Sequence, residues 1–472
     1  MPIEQRGVDT IPEEERTSGP RDLISILLGS NLCLGVIVFG WLPPSFGLGL
    51  WPSVTAIVTG TLVGIAFTAP LALVSLRTGT NLSTSSGAQF GVRGRLVGSV
   101  VGLLLSLGYT ALTLWIGGDV MVGTLSRLTG LPDTGLSRAV MYGVLAACTV
   151  VGAVFGYRLL LRMSKVLSIG MVVLLAVGIY AYAPDFTAAA PVDTYLLGSF
   201  WPTWLLAAVA AGLSGPVAFI TLLGDYTRYV SPTKHSSRKV FWATCFGLLI
   251  GLLIPQLFGT YTALAAKAGA EYAGPLVEAA PFWYLVPLLA AAAAGSVGNA
   301  GLMLYSMGLD LDAIIPKATR TKATVIAAAV ATAFVFIGSF SWDVQSAMTS
   351  FVLLLTAIGT PWAVVTLIGY VRCRGRYDAD ALQVFNRRSV GGIYWYRGGW
   401  NVAATLSWVI GAGVGLLAVT TPFYEGPLLA LTGGVDCSFV LSGLAGGLVY
   451  TALTARTAPA PAPAAAEEPV AA

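Results

Sequence analysis

The chain has 472 residues, 56% of them hydrophobic and only 10% charged, against about 25% charged in ordinary soluble domains. With a mean hydropathy of +0.79, this excludes a soluble globular protein and predicts an all-α polytopic membrane protein. The formal charge of +4 gives no hint of nucleic-acid binding, and five scattered cysteines with a single histidine, His235, argue against zinc, haem or iron–sulfur chemistry. No cofactor and no metal are expected.

Residues 1–22 carry six acidic and three basic residues without an apolar core, and read as a cytoplasmic N-terminal segment rather than a cleavable signal peptide. One membrane span needs about 20 apolar residues. Twelve such runs follow, centred roughly on residues 35, 63, 110, 147, 174, 211, 253, 295, 330, 360, 410 and 441. With both termini inside, only Arg127, Arg138 and Lys267 of the 26 Lys and Arg residues fall outside, as the positive-inside rule requires. Asp133, Asp185, Asp193, Glu271, Glu278, Asp343 and Glu425 mark the outer face. The expected location is the cytoplasmic (plasma) membrane.

The first span reads Gly29-Ser30-Asn31-Leu32-Cys33-Leu34-Gly35, with Gly40, Pro43, Pro44 and Gly47 behind it. Ser30 and Asn31 stand where this helix should break, able to bond a substrate or the freed backbone. Span 3 holds Asp119, the only carboxylate deep in an apolar run, one helical turn after Trp115. A charge at a bilayer centre costs about 2.5–3.5 kcal/mol on insertion scales, so an intramembrane carboxylate is a functional candidate. The plainer alternative, a hydrated group near the outer end of the span, is suggested by Arg127 and Asp133 close behind it.

Span 6 is interrupted in the same way, at Gly212-Leu213-Ser214-Gly215-Pro216. Irregular backbone at membrane depth is tolerated where it is buried in protein or lines a cavity, and breaks at matching places in two halves point to a transporter binding site. Spans 1 and 6 lie five apart, which predicts a five-plus-five inverted repeat over residues 23–371, with Gly212, Gly215 and Pro216 keeping the second break open. Glycine and proline are also simply common in membrane helices. In span 8, Ser296 and Asn299 share a face among small residues, placed for a ligand or for interhelical packing. A basic loop, 372–399, then precedes two peripheral spans in 400–453, and the Ala/Pro-rich tail 454–472 reads as disordered. The loop reads as an ordinary positive-inside anchor, with contact to anionic headgroups as the alternative.

At the end of span 6 stands Leu222-Leu223-Gly224-Asp225-Tyr226-Thr227-Arg228-Tyr229-Val230, which resembles the Asp-Tyr-Thr-Arg-Tyr signature of the nucleobase:cation symporter family, purine/cytosine permease branch. Ala88–Gly94, Tyr305–Leu311 and Gly391–Asn401 are similar to further stretches of that family. The resemblance implies a leucine-transporter-type fold that carries a flat heterocyclic base by alternating access, driven by protons or sodium. It implies a substrate held between spans 1, 3, 6 and 8, with Trp115 stacking on the base and Asp119 bonding its edge. Residues i and i+4 share a helix face, and a carboxylate accepts two hydrogen bonds from an amidine-like edge. An amide is commoner at the second position in the family, so Asp119 is a departure that favours N–H-rich substrates or a role in carrying the proton. Asn299 matches a polar position of the binding span, and Phe219 is the expected second stacking wall. Asp225 and Arg228 are expected to gate or support the fold. A sodium site would use carbonyls of spans 1 and 8 with span-8 hydroxyls, which are sparse here, so a proton is the expected coupling ion.

The reading is therefore a twelve-span secondary transporter importing a purine, cytosine or related nitrogen heterocycle. An allantoin-, hydantoin- or vitamin-like substrate and a non-transporting sensor on the same fold are the alternatives. A membrane enzyme is not expected, because clustered His, Cys or paired acids facing one cavity are absent from the sequence pattern. The sequence does not indicate an oligomeric state.

Overall fold

The computed structural model of the protein describes residues 7–315, 320–432 and 434–456. Arg6, Lys317 and the predicted tail beyond residue 456 lie outside the described residues. Among those described, nine helices are long and apolar enough to cross a bilayer, one further crossing is a bent pair, and two shorter apolar helices follow. Together they account for the twelve expected runs.

Span 1 is the bent pair, Pro20–Asn31 and Leu34–Ser45, whose halves meet at 61°. Span 2 is Leu50–Thr78, span 3 Leu96–Thr129, span 4 Gly135–Phe155 and span 5 Tyr157–Asp185. Span 6 begins at Phe200 and ends its regular course at Val217. Span 7 is Ser237–Ala265, span 8 Phe282–Ile314, span 9 Arg320–Ser341 and span 10 Val344–Arg372. Spans 11 and 12 are Val402–Ala418 and Ser438–Thr454, joined through a two-residue antiparallel pairing of Thr420–Thr421 with Tyr424–Glu425.

Burial separates centre from rim. In span 3, 78% of the most apolar stretch is buried, against 28% in spans 4 and 5, so span 3 runs through the middle while spans 4 and 5 turn much of their surface outward. Val166, Ile169, Val173 and Tyr180 of span 5 are exposed, as lipid-facing residues must be, because apolar side chains gain nothing there from being hidden.

Spans 3 and 8 lie antiparallel and close. A Cβ on Gly117 would come within 2.0 Å of Ser296 Oγ, and one on Gly102 within 2.2 Å of Asp310 Oδ2. Thr113 meets Asn299 between these two levels. Only a residue without a side chain permits so near an approach, the small-residue logic of helix packing in lipid.

The break in span 6 has a local cause. Residues Ala208–Leu213 form a π-helical turn, followed by one α-turn, Ser214–Val217. Pro216 has no N–H to give the carbonyl four residues back, that of Gly212. Thr61 of span 2 donates its hydroxyl to that carbonyl at 3.2 Å. Gln256 Nε2 of span 7 donates to the Ala211 carbonyl at 2.9 Å, and Tyr109 of span 3 donates to the Ser214 carbonyl at 2.9 Å. The Ser214 carbonyl also accepts from the Ala218 N–H at 2.9 Å, so Tyr109 adds a second donor there, while spans 2 and 7 supply donors at the break itself, the condition on which irregular backbone survives at membrane depth.

Candidate functional site

The break in span 1 is stabilised from within and from span 8. Ser30 Oγ and Asn31 Nδ2 both donate to the Leu27 carbonyl, at 3.2 and 2.7 Å. Both bonds run back into the helical turn that precedes the break. Asn299 Nδ2 donates to the Ser30 carbonyl at 2.6 Å, and Asn299 Oδ1 accepts from Thr113 Oγ1 at 2.8 Å. One buried amide therefore ties span 8 to the span 1 break and to span 3. Ser296 Oγ donates to the Thr113 carbonyl at 3.4 Å, on the same face of span 8.

Trp115 and Asp119 look elsewhere. Successive residues of an α-helix are about 100° apart, so Trp115 and Thr113 point to nearly opposite sides of span 3. Trp115 packs with Tyr142, Leu145 and Val335, and a Cβ on Gly338 of span 9 would lie 3.0 Å from its ring. Asp119 Oδ1 accepts from the Tyr142 hydroxyl of span 4 at 2.5 Å. Trp115 and Asp119 together line a cavity of about 220 Å³ walled also by Asp133, Arg138, Tyr272, Ser339 and Trp342. Those partners come from the span 3–4 connection and the first turn of span 4, the 7–8 connection, and the end of span 9 with its junction to span 10, so the cavity faces the side opposite the chain termini.

The predicted residues thus fall into two groups. Trp115 and Asp119 share the cavity, with the aromatic face and the carboxylate one turn apart as the spacing requires. Ser30, Asn31, Ser296 and Asn299 form a hydrogen-bonded knot around the span 1 break on the other face of span 3, and none of the four is part of that cavity's wall. Phe219 is 1% exposed, within the main apolar core, in the turn that follows the span 6 break. Gly215 packs on span 7, where a Cβ would lie 3.0 Å from Leu252 and 3.3 Å from Gln256 Nε2.

The signature after span 6 holds the N-terminal segment in place. Arg228 Nη1 donates to the Gly7 carbonyl at 2.7 Å, and its Nη2 donates to the Tyr305 hydroxyl at 2.8 Å. Arg16 Nε donates to the Arg228 carbonyl at 3.0 Å, and the Ser18 N–H to the Tyr229 carbonyl at 3.0 Å. Tyr229 stacks on Tyr157 with ring centroids 4.2 Å apart and planes 7° apart. Asp225 is buried in the same region. Tyr226 is fully buried and reaches Ser306 Oγ at 3.4 Å, so it is not the lipid-interface anchor that a tyrosine near a span end suggests.

Sequence reasoning passed over Thr113, Tyr142, Thr61, Tyr109 and Gln256. Each is an unremarkable residue in an apolar run, and only its partner in another span gives it a role. Asp310, in the stretch Tyr305–Leu311, is also buried, its Oδ1 accepting from Ser83 at 2.7 Å.

Among the described residues, twelve apolar crossings around two mid-membrane breaks, with polar side chains gathered at one break and an aromatic-carboxylate cavity beside the central span, are the arrangement of a secondary transporter. Residues 10–446 match the family described as permease for cytosine/purines, uracil, thiamine, allantoin. The chain belongs to that family. It is 26% identical over 466 residues to YxlA of Bacillus subtilis (strain 168), assigned by name to the purine-cytosine permeases, with 96% of each chain covered. It is 23% identical over 438 residues to the hydantoin permease of Microbacterium maritypicum, covering 88% of this chain and 85% of that one. The fold matches Mhp1, a nucleobase-cation-symport-1 family transporter solved closed with bromovinylhydantoin bound, at a TM-score of 0.75 and 19% identity over 97% of both chains. The architecture is accordingly the leucine-transporter-type ten-helix core with two added spans, in a multi-pass membrane protein.

Proposed function

We propose that the protein imports a purine, cytosine or closely related nitrogen heterocycle together with a proton, by alternating access, with both termini in the cytoplasm. The observation that carries this reading is the pair Trp115 and Asp119 in one cavity that opens away from the termini. The indole offers a broad π face for a planar ring. The carboxylate accepts from the Tyr142 hydroxyl at one oxygen, and its remaining lone pairs suit a ring N–H or an exocyclic amino group.

The choice of proton over sodium is supported at the span 1 break. A sodium ion there would be held by backbone carbonyls and span-8 hydroxyls, but the Ser30 carbonyl already accepts from Asn299 Nδ2 at 2.6 Å. An amide N–H placed where a cation would gather oxygens competes with it directly. Asp119, by contrast, is an ionisable side chain on span 3 that lines the cavity, a group able to take up and release a proton. The residues proposed to act in coupling are Asp119, by carrying the proton, and Asn299, by closing the span 1 break against a metal ion.

The same pair fits an imide ring of the hydantoin type, whose N–H groups face a carboxylate in the same way, and the hydantoin permease relative makes this the second reading. Uptake of a labelled panel of adenine, guanine, hypoxanthine, cytosine, allantoin and hydantoin in a transport-deficient bacterium, with and without a proton uncoupler and with sodium replaced by choline, tests both. Uptake abolished by uncoupler and indifferent to sodium is the expected result. Failure of every compound to enter or compete overturns the substrate class, and sodium dependence overturns the proton. Counterflow in proteoliposomes separates a transporter from a sensor, which binds without exchanging label.

A further inference from the structure

Four elements converge on one point in the half of the bundle nearest the chain termini. Asp310, in the last turns of span 8, is 3% exposed. Its Oδ1 accepts from the Ser83 hydroxyl at 2.7 Å, in the short helix Leu82–Ser85 that follows span 2. Its Oδ2 turns toward span 3, where a Cβ on Gly102 would lie 2.2 Å away. The same Cβ would lie 2.9 Å from Thr221 Oγ1, in the turns between the span 6 break and Asp225. Thr221 is buried, and its hydroxyl has no hydrogen-bond partner among the described residues. The two oxygens are at most about 5 Å apart, a gap that one water closes with bonds of about 2.8 Å to each.

The helix face that carries Gly102 continues this pattern. Ser99 precedes it by one turn, and Ser106 and Thr110 follow at further turns, the spacing that keeps residues on one side of a helix. A serine or threonine inside a helix can return its hydroxyl to the carbonyl one turn back, as Thr124 and Thr149 do here. The hydroxyls of Ser99, Ser106 and Thr110 do not, and each is buried without a hydrogen-bond partner. Buried polar groups are satisfied by protein or by ordered water, and a hydroxyl both donates and accepts. Such a row lines a hydrated seam that passes Asp310 and ends near the start of span 3 at Leu96.

The charges around Asp310 are accounted for. Arg95 at the start of span 3 is committed to Thr84 and Asn386, Arg16 to the Leu76 and Arg228 carbonyls, and Arg228 to the Gly7 carbonyl and the Tyr305 hydroxyl. The Tyr226 hydroxyl is engaged with Ser306, and the Tyr157 ring stacks on Tyr229. Asp9, Arg158 and Lys322 are exposed. Asp312 lies two residues further along span 8. Asp225 is close enough for its charge to act on Asp310, and it is of like sign. Among the described residues, no lysine or arginine forms an ion pair with Asp310. An ionisable side chain inside a membrane span that lacks such a pairing marks an ion or proton path.

We propose that Asp310 is a second proton site, shared through water with Thr221 and reached along the Ser99–Thr110 face of span 3, from which the transported proton leaves on the side of the chain termini. A hydronium arriving along the seam gives its proton to Oδ2 and leaves water. The carboxyl then returns the proton to a water at the Ser99 end. The role in transport rests on the proton-coupled reading above, whereas the site itself does not.

Infrared difference spectra of the full-length protein in liposomes, recorded across a pH titration, read the C=O band of protonated carboxyl groups. Wild type should show a titrating band that Asp310→Asn lacks and Asp119→Asn keeps. The band should shift in Thr221→Val, which keeps the shape of threonine without its hydroxyl. Identical spectra in wild type and Asp310→Asn overturn the proposal. So does a band that sodium removes at fixed pH, which makes the site a sodium site.

In proteoliposomes, Asp310→Asn should lower proton-driven accumulation at least about tenfold while counterflow stays within about twofold of wild type, and Asp310→Glu should restore part of the accumulation. A carboxyl that only supports the fold loses accumulation and counterflow together, and that result overturns the proposal. Wild-type accumulation that ignores an uncoupler overturns the proton-coupled reading instead, and the infrared band then decides the site alone. If Asp310→Asn does not fold, Thr221→Val and Asp310→Glu decide, and a band unmoved by both overturns the site.

Discussion

The amide of Asn299 is the most sharply testable group in the molecule, because it makes two buried hydrogen bonds to two different helices, at 2.6 Å to Ser30 and 2.8 Å to Thr113. Asn299→Ala removes both. Interhelical hydrogen bonds in membrane proteins average about 0.6 kcal/mol and reach about 1.7, so the pair contributes on the order of 1–3 kcal/mol. The single mutant also leaves a void, and its total cost mixes packing with hydrogen bonding. A double-mutant cycle with Thr113→Val, which keeps the shape of the threonine, isolates the Asn299–Thr113 term. Stability measured by denaturant or heat in detergent should show a coupling of about 0.6–1.7 kcal/mol. Additive mutants, coupled by less than about 0.3 kcal/mol, would refute the bond between spans 3 and 8 as a contributor to the fold. The same Asn299→Ala protein should gain sensitivity to sodium in uptake assays, since the Ser30 carbonyl loses its amide donor. Sodium-independent uptake in the mutant would remove Asn299 from the argument about the coupling ion.

Four further outcomes follow from the geometry. Trp115→Ala should raise the KM for a heterocyclic substrate about 5- to 150-fold, the value of about 1–3 kcal/mol of base stacking, while Trp115→Phe retains part of it, as read from initial uptake rates. Asp119→Asn should fold normally and flatten the pH profile of uptake over roughly pH 5–8, where the wild type declines as protons become scarce; identical profiles would exclude Asp119 as the proton carrier. Gly117→Ala puts a methyl group where Ser296 Oγ stands, 2.0 Å from the new Cβ, and overpacking of this kind costs about 1–3 kcal/mol; Ser296→Gly in the same protein should restore expression and thermal stability. The hydrogen bond from Arg138, 2.8 Å from Nε to Oδ1, holds the Asp133 carboxyl below its ordinary range, so its contribution is present above the unfolded value and lost as pH falls through the folded one. Both side chains are more than 40% exposed, which limits the effect to about 0.2–1 kcal/mol, lost below about pH 4 and absent in Asp133→Asn, by acid titration of stability.

Much of this architecture is a local property of the chain. A span is about 20 apolar residues because the hydrocarbon layer is about 30 Å thick, so the twelve runs, their centres and the break at Pro216 need no knowledge of neighbours. The missing N–H of Pro216 and the small residues around it mark span 6 as irregular wherever it packs. Trp115 and Asp119 share a face by helical spacing alone, and the structure keeps them in one cavity.

What the chain does not carry locally is rotation. Asp119 marks the Trp115 side of span 3, but spacing alone does not show which neighbouring span each side of so apolar a helix meets. Packing against span 8 turns Thr113 toward Asn299, and packing against spans 4 and 9 gives Asp119 its bond to Tyr142. The side-chain partners of the carbonyls around the span 6 break, Thr61, Tyr109 and Gln256, come from three other spans. Their roles exist only once those spans surround the break, because a lone hydroxyl or amide in an apolar run satisfies whichever backbone group the tertiary structure brings to it.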